Sequence, residues 1–243
     1  SVATRIINNL STPKVLEGHA IHIGTTIGIS IMRPDVKCPN EVLRCADLAL
    51  FRAKAEERGS YRFYEPEMDA ERLRRRQLEM DLRNALQNNE LLLHYQPIIN
   101  SATGAISSCE ALVRWQHPEH GLIPPLKFIP IAEELGLINK IGEWVLNQAC
   151  LDAAKMPTSI QMAVNVSALQ IKNPVFPLQV IKALNAANLS PQRLELELTE
   201  SIMATGEDII INNVKRLRNA GVRIALDDFG VGFSSFSCLK DFE

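Results

Sequence analysis

The second half of the chain alternates short apolar segments of strand type with longer segments of helical periodicity. The predicted strands cover about residues 91–98, 106–114, 161–166, 194–198 and 222–226. Apolar residues recur at helical spacing over about residues 128–156, 177–188 and 208–219. Strands that alternate with helices predict βαβ units and a parallel sheet, as found in open doubly wound folds and in closed (β/α)8 barrels.

The first part of the chain has a different pattern. An apolar, β-rich segment from His22 to Ile31 is followed by an amphipathic helix from about Glu41 to Glu57 and a short strand, Tyr61–Tyr64. A charged helix then begins near Ala70 and leads into the second half. We therefore predict a small domain over residues 1–66, a linker and entering helix over 67–88, and a larger domain over 89–243.

Composition narrows the class of protein. The chain has 243 residues, 46% of them hydrophobic and 22% charged, which is typical of a folded globular protein. Its net charge of −2 gives no general attraction to nucleic acid, so we expect no nucleic acid polymer as a partner. No apolar run approaches the ~18 residues of a spanning helix, and five scattered cysteines indicate reduced thiols and a cytoplasmic location.

Oxygen-bearing side chains stand near the carboxyl ends of the predicted strands. These residues are Glu110, Asn165, Glu197, Glu200, Asp227 and Asp228. In a parallel barrel the carboxyl ends of the strands meet at the active face. Each acid alone is also compatible with a helix cap or a surface ion pair, but their joint placement favours one shared site.

The segment Leu194–Leu198 alternates leucine with glutamate. A strand of this pattern turns its leucines to one face and its glutamates to the other. In a barrel the glutamates face the interior, where unpaired charge is costly and a cation neutralises it. Because oxygen ligands without cysteine or histidine suit hard cations, we predict Mg²⁺ or Mn²⁺.

Four other signals have two interpretations each. The glycine-rich loop 227–235 is either a cover for a phosphate group or a plain turn, and Arg114 either clamps a phosphate or faces solvent. His117 and His120 suggest zinc, but Pro118 between them favours a loop. The arginine run 74–76 is either a phosphate or RNA patch or a solvated face, and its acidic neighbours favour the latter.

Four ordered motifs resemble the EAL family of cyclic di-GMP phosphodiesterases. They are E-A-L-V-R-W at 110–115, N-V-S at 165–167, E-L-T-E-S at 197–201 and D-D-F-G-V-G-F-S-S at 227–235. The segments H-Y-Q-P at 94–97 and F-I-P-I-A-E-E at 128–134 support the match, which runs from about Ala70 onward. The first 65 residues resemble the C-terminal part of a GGDEF domain, through T-T-I-G-I-S at 25–30 and A-D-L-A-L-F-R-A-K at 46–54. The GGDEF signature loop itself is absent from the sequence, and we expect it upstream of Ser1.

The resemblance implies an α/β fold, an incomplete TIM-like (β/α)8 barrel preceded by the C-terminal part of an α+β GGDEF domain. It implies linearisation of cyclic di-GMP to pGpG with two Mg²⁺ or Mn²⁺ ions. By the same resemblance the metal ligands are Glu110, Asn165, Glu197, Asp227 and Asp228. Gln96 and Arg114 are then expected to bind the substrate, and Glu200 to hold the loop that follows Asp228. The family also leads us to expect a homodimer formed through the EAL domain and an upstream sensor module. A membrane anchor in the unseen N-terminal region of the parent protein stays open.

Two departures from the family pattern qualify these expectations. Val231 stands where the family usually has threonine, which removes a hydroxyl from the loop. We also expect the chain to stop after the fifth barrel strand, so that the general-base region of the family lies beyond Glu243. Lys240 precedes the strand expected to carry the catalytic lysine and is not assigned that role. The intact parent is therefore expected to be the phosphodiesterase, and the 243-residue chain alone to be inactive.

Two other functions stay open at this point. The EAL-like half is also compatible with a receptor that binds cyclic di-GMP without hydrolysing it, because the general-base region is not in the sequence. An enolase-like barrel also uses carboxylates and Mg²⁺, but it does not explain the loop at 227–235. Hydrolysis of cyclic di-GMP separates both alternatives from the phosphodiesterase.

Overall fold

A computed structural model of the chain describes residues 1–16, 19–32 and 38–227. The chain divides into two compact units, Ser1–Leu78 and Glu79–Glu243. This division lies within the segment 67–88, which the sequence analysis gives as a linker and entering helix. Helix α3, Glu67–Ala85, occupies most of that segment.

The first unit consists of small sheets and helices. Besides the first part of α3, its elements are α1 Val2–Ser11, β1 Lys14–Leu16, β2 His19–Ile21, β3 Ile27–Ile29, α2 Pro39–Glu56 and β4 Tyr61–Phe63. Strands β1 and β2 form an antiparallel hairpin, and β3 pairs in parallel with β4. The predicted strand at His22–Ile31 is therefore shorter than expected.

Helix α2 packs directly on β3 because Gly28 has no side chain. A β-carbon at Gly28 would lie 2.0 Å from the carbonyl oxygen of Ala46. On the other side of α2, Arg44 donates to Asp69 of α3, which also accepts from the Tyr64 hydroxyl. The arginine run 74–76 was predicted to be a solvated face, but Arg75 departs from this prediction. Its guanidinium lies 5.7 Å from the centre of the Phe51 ring.

The second unit contains a sheet flanked by helices. Its strands are β5 Leu91–Ile99, β6 Ile106–His117, β7 Gly121–Ile123, β8 Gln161–Asn165, β9 Leu194–Thr199 and β10 Arg223–Asp227. Its helices after α3 are α4 Pro125–Glu134, α5 Ile138–Lys155, α6 Ala168–Ile171, α7 Phe176–Ala187, α8 Glu200–Ala204 and α9 Asp208–Asn219. A short 3₁₀ turn at Pro191–Arg193 precedes β9.

The sheet is mixed rather than wholly parallel. Its strand order is β10-β9-β8-β6-β5, with β7 paired to β6. Strands β6, β8, β9 and β10 are mutually parallel, but β5 is antiparallel to β6. The prediction of a parallel sheet is wrong for β5 because residues 100–105 form a turn, and a parallel pair needs a crossover of about a dozen residues or more.

The predicted helix over 128–156 is two helices. Gly136 adopts a φ of +68° after α4, a left-handed conformation that favours glycine and ends the helix. Helix α5 begins two residues later at Ile138.

The core of the second unit lies between the sheet and the helices. Strand β9 alternates buried leucines with partly exposed glutamates, as its sequence pattern predicts. Trp115 of β6 is fully buried, and its ring meets Phe128 of α4 edge to face at 5.8 Å. Among the residues described, no helix is both long and apolar enough to cross a bilayer.

Candidate functional site

One face of the sheet carries the predicted site residues of five strands. The strand registers pair Gln96 with Glu110, and Asn165 with Glu197. Paired residues on neighbouring strands project to the same side of a sheet, and so do residues two apart in one strand. The side chains that share this face are Gln96, Glu110, Arg114, Asn165, Glu197 and Asp227.

Glu110 does not end a strand, in contrast to the prediction. Strand β6 continues to His117, but its parallel pairing with β8 ends at Ala111. Beyond Ala111 the strand pairs, among the strands the structure describes, with β5 and β7. Glu110 therefore lies near the carboxyl edge of the parallel sheet, although its own strand extends past that edge.

Asn165 is the residue that directly contacts Glu110. Its amide Nδ2 donates to Glu110 Oε1 at 2.6 Å. Because Nδ2 is engaged in this way, Oδ1 is the atom that this side chain offers to a cation. Asn165 is the last residue of β8, as predicted, and its side chain is exposed.

The chain turns sharply after Asn165 because of a capping box. Ser167 Oγ accepts from the backbone N–H of Gln170, and Gln170 Oε1 accepts from the backbone N–H of Ser167. Gln170 is buried against Gly142 of α5, where a β-carbon would lie 1.9 Å from Gln170 Nε2. The close approach of α5 thus supports the loop that follows Asn165.

The surroundings of the Glu197 carboxyl group raise its pKa. Burial raises the pKa of Glu197 to about 7, and the negative charges of Glu110, Asp227 and Glu195 add to the effect. Glu195 precedes Glu197 by two residues in β9 and forms an ion pair with Arg223, whose Nε lies 3.0 Å from Glu195 Oε2. The carboxylates of Glu110, Glu197 and Asp227, near the carboxyl edge of the parallel sheet, therefore repel one another when no cation is bound.

The donor set fits a hard divalent cation. Carboxylate and carboxamide oxygens share this face, and a cation would relieve the repulsion at Glu197. Within the ranges 1–16, 19–32 and 38–227, no three histidine, cysteine, aspartate or glutamate side chains are close enough together to constitute a metal cluster. Asn165 is not one of these residue types, and Asp228 lies outside the described residues.

Gln96 and Arg114 lie on the same face of the sheet as Glu110. Gln96 is opposite Glu110 on β5 and is exposed, whereas Arg114 is half-buried further along β6. The Arg114 guanidinium donates to the carbonyl oxygen of Val113 at 2.9 Å. Both residues are on the face on which the prediction places substrate contacts.

Glu200 is set back from this face. It is the first residue of α8 and is buried, with 9% of its surface exposed. The loop that it was predicted to hold, with Val231, lies outside the described residues, as do Cys238 and Lys240.

His117 ends strand β6 and anchors the turn at 118–120, in agreement with the predicted loop, and it belongs to a structural network. It is the last residue of β6, with 3% of its surface exposed, and its Nε2 lies 3.2 Å from Asp81 Oδ2. Its Nδ1 accepts from the backbone N–H groups of Glu119 and His120. The sequence spacing of the two histidines gave no signal for Asp81, which is remote in the chain.

Arg193 is a further polar residue that sequence patterns missed. Its guanidinium donates to the carbonyl oxygens of Ala153, Pro157 and Ile160, so it closes the C-terminal end of α5. Several acceptors on one guanidinium indicate a structural role.

Comparison with known proteins identifies the family. The profile described as "EAL domain" matches residues 79–243, which include all the strands of the second unit. The chain belongs to the EAL domain family.

Relatives match along nearly the whole sequence. An uncharacterized signaling protein of Caulobacter vibrioides is 46% identical over 241 residues, 99% of this chain and 30% of that protein. The bifunctional diguanylate cyclase/cyclic di-GMP phosphodiesterase MucR of Pseudomonas aeruginosa is 39% identical over 246 residues, 99% of this chain and 36% of that protein. The cyclic di-GMP phosphodiesterase PdeR of Escherichia coli is 35% identical over 245 residues, 100% of this chain and 37% of that protein. The chain thus spans about a third of the length of these relatives.

Solved structures have the same fold. The PaMucR phosphodiesterase in a c-di-GMP complex superimposes with a TM-score of 0.65 and 43% identity, covering 68% of each chain. The FimX EAL domain from Pseudomonas aeruginosa bound to c-di-GMP gives a TM-score of 0.62 at 27% identity, covering 68% of this chain and 67% of that one. The mixed sheet with its flanking helices is thus an EAL-type α/β fold.

Proposed function

We propose that the protein containing this chain is a cyclic di-GMP phosphodiesterase that opens the cyclic dinucleotide to pGpG. The observation that carries the proposal is the set of mutually repelling carboxylates at the edge of the EAL sheet. Burial and the charges of Glu110 and Asp227 raise the pKa of Glu197 to about 7. A group of this kind is poised to bind cations and hence to act on a phosphodiester.

The proposed ligands of two Mg²⁺ or Mn²⁺ ions are Glu110, Asn165, Glu197, Asp227 and Asp228. The shared face of the first four residues supports this assignment. When bound, the ions would lower the pKa of a water molecule and neutralise charge on the phosphodiester. Glu200, buried at the start of α8, is proposed to hold the loop after Asp228.

The protein residues beside the metal ligands are proposed to bind and orient the substrate. The Arg114 guanidinium offers a fork of N–H donors that matches a phosphate group. Gln96, across from Glu110, offers both a donor and an acceptor. Together they would align the ligand along β5 and β6, with its scissile phosphate above Glu110.

The relatives support cyclic di-GMP as the substrate. Two of them, PdeR and NbdA, are named cyclic di-GMP phosphodiesterases and are each 35% identical to this chain. The PaMucR and FimX EAL structures contain c-di-GMP. Likeness to these proteins supports the substrate, and the shared sheet face of Glu110, Asn165, Glu197 and Asp227 supports the proposed metal ligands.

We further propose that residues 1–66 are the C-terminal part of a GGDEF-like domain. The compact first unit supports this, as does the alignment with MucR, which extends over 99% of the chain and so precedes residue 79. For the whole protein we propose a cytoplasmic location of these domains, an upstream sensor module and a homodimer formed through the EAL domain.

Hydrolysis by the full-length protein tests the proposed function. Cyclic di-GMP is incubated with the purified protein and Mg²⁺ or Mn²⁺, and pGpG is measured by chromatography. We expect pGpG to form with the metal and not with EDTA, and Glu110→Gln to abolish its formation. Binding of cyclic di-GMP without any pGpG would overturn the phosphodiesterase and assign a receptor function instead.

A further inference from the structure

His94 lies on the site face between the two proposed substrate-binding residues. The register pairs His94 with Leu112, between the pairs Gln96–Glu110 and Leu92–Arg114. We propose that His94 and Leu112 form a platform on which a purine base of the ligand stacks. This inference rests on the proposed function, since it describes the nucleotide that occupies the same site.

The position of His94 follows from strand geometry. Residues two apart in a strand project from the same face about 6.6 Å apart, and directly paired residues lie about 5 Å apart across strands. Gln96 and Arg114 are separated by two such steps along the strands, about 13 Å. A single ligand that contacts both residues must therefore cross the pair formed by His94 and Leu112.

The two side chains offer a surface for a flat ring and few competing contacts. His94 is exposed, and in the part of the chain that the structure describes its imidazole forms no hydrogen bond with another side chain. Leu112 beside it is half-buried and apolar. A flat imidazole next to an aliphatic side chain suits the face of a base, and stacking on an aromatic side chain contributes measurably to nucleotide binding.

The chemistry of the neighbours agrees with a base at this position. Arg114 is the cationic group that matches a phosphate, and it stands one pair away from His94. The carboxylates begin one pair away in the other direction, at Glu110. The His94–Leu112 pair thus lies between a cationic side chain in one direction along the face and carboxylates in the other.

Substitution of His94 in the full-length protein tests the platform. We expect His94→Ala to raise the Kd for cyclic di-GMP by about 5- to 100-fold, the range that corresponds to loss of one stacking contact. His94→Phe keeps a flat ring and is expected to stay within about threefold of the unsubstituted protein. His22→Ala, at an exposed histidine of the first unit, is the matched control. Kd is measured by calorimetry and fold integrity by thermal melting.

The outcomes separate this inference from the proposed function. An unchanged Kd in His94→Ala, with weakened binding in Gln96→Ala and Arg114→Ala, overturns the platform alone. A loss of binding in His94→Phe equal to that in His94→Ala indicates a hydrogen bond instead of stacking and also overturns it. If the unsubstituted protein does not bind cyclic di-GMP, the proposed function itself fails.

Discussion

Strand β6 carries polar residues in two regions that differ in how their charges are balanced. At Glu110, the hydrogen-bond partner is a neutral amide, and burial together with nearby carboxylates raises the pKa of Glu197. At the end of the strand, Trp115 Nε1 donates to Glu90 at 2.9 Å, and both nitrogens of His117 have partners. Buried polar groups that are satisfied by the chain stabilise the fold. The two regions thus differ: partners within the chain satisfy the polar groups at the end of β6, whereas carboxylates near Glu110 disfavour one another's negative charge.

The largest effect is expected on catalysis by the full-length protein. Glu197→Gln removes one charged oxygen from the proposed metal site, and metal ions contribute several kcal/mol to such reactions. We expect kcat/KM for cyclic di-GMP to fall by at least about 100-fold. The measurement is the initial rate of pGpG formation at saturating Mg²⁺. A variant that keeps more than half of the rate would place the metal elsewhere.

The second prediction concerns stability at the other region of β6. His117→Ala leaves Asp81 without this partner and opens a cavity beside Trp115, whose ring lies 5.1 Å from that of His117. We expect the free energy of unfolding to fall by about 2–4 kcal/mol, as measured by urea denaturation. His120→Ala, at the exposed ring that stacks on His117, is the control and should cost less than about 1 kcal/mol. Equal costs for the two variants would contradict the assignment of a buried structural network.

The third prediction concerns the contact between helix α5 and the loop that follows Asn165. Gly142→Ala improves helix propensity by about 1 kcal/mol but forces its β-carbon onto Gln170. Because Gln170 is held in the capping box after Asn165, we expect a net destabilisation of about 1 kcal/mol.

A double-mutant cycle isolates this contact. In the background of Gln170→Ala the obstacle is absent, and Gly142→Ala is then expected to stabilise the protein. A stabilising effect of Gly142→Ala in both backgrounds would refute the proposed close approach of α5 to the loop.

The smallest effect concerns pH. The pKa of Glu197 in the metal-free fold, about 7, lies above the ordinary glutamate value of about 4.3. The folded chain then binds more protons than the unfolded chain between these values, so the free energy of unfolding falls as the pH rises through this window. With allowance for solvent screening, we expect a loss of about 1 kcal/mol in EDTA between pH 5 and pH 7.5. The Glu197→Gln variant should lack this pH-dependent loss of stability. If the free energy of unfolding depended on pH in the same way in both proteins, the raised pKa of Glu197 would be contradicted.

Much of the site was predictable from sequence because strand periodicity fixes which side chains share a face. The alternation of Leu194–Leu198 predicted that Glu195 and Glu197 lie opposite the buried leucines, and the structure confirms it. Asn165 was predicted at the carboxyl end of an apolar strand, and it is the last residue of β8.

What sequence patterns missed depends on pairing between remote segments. The antiparallel position of β5 depends on the turn at 100–105, and the extension of β6 past Glu110 depends on pairing with β5 and β7. The contact between His117 and Asp81 joins a strand to a preceding helix, and the spacing of residues within one segment carries no signal for it. The break between α4 and α5 was marked by Gly136, but the periodicity on both sides concealed it.

Titration of Mn²⁺ into the metal-free full-length protein, followed by electron paramagnetic resonance, tests most directly whether the acids of the sheet edge form a cation site. We predict saturable binding to the unsubstituted protein and to the His120→Ala control, and a marked loss of affinity in Glu110→Gln and Glu197→Gln. Equal Mn²⁺ affinity in all four proteins would contradict the cation site and, with it, the proposed phosphodiesterase.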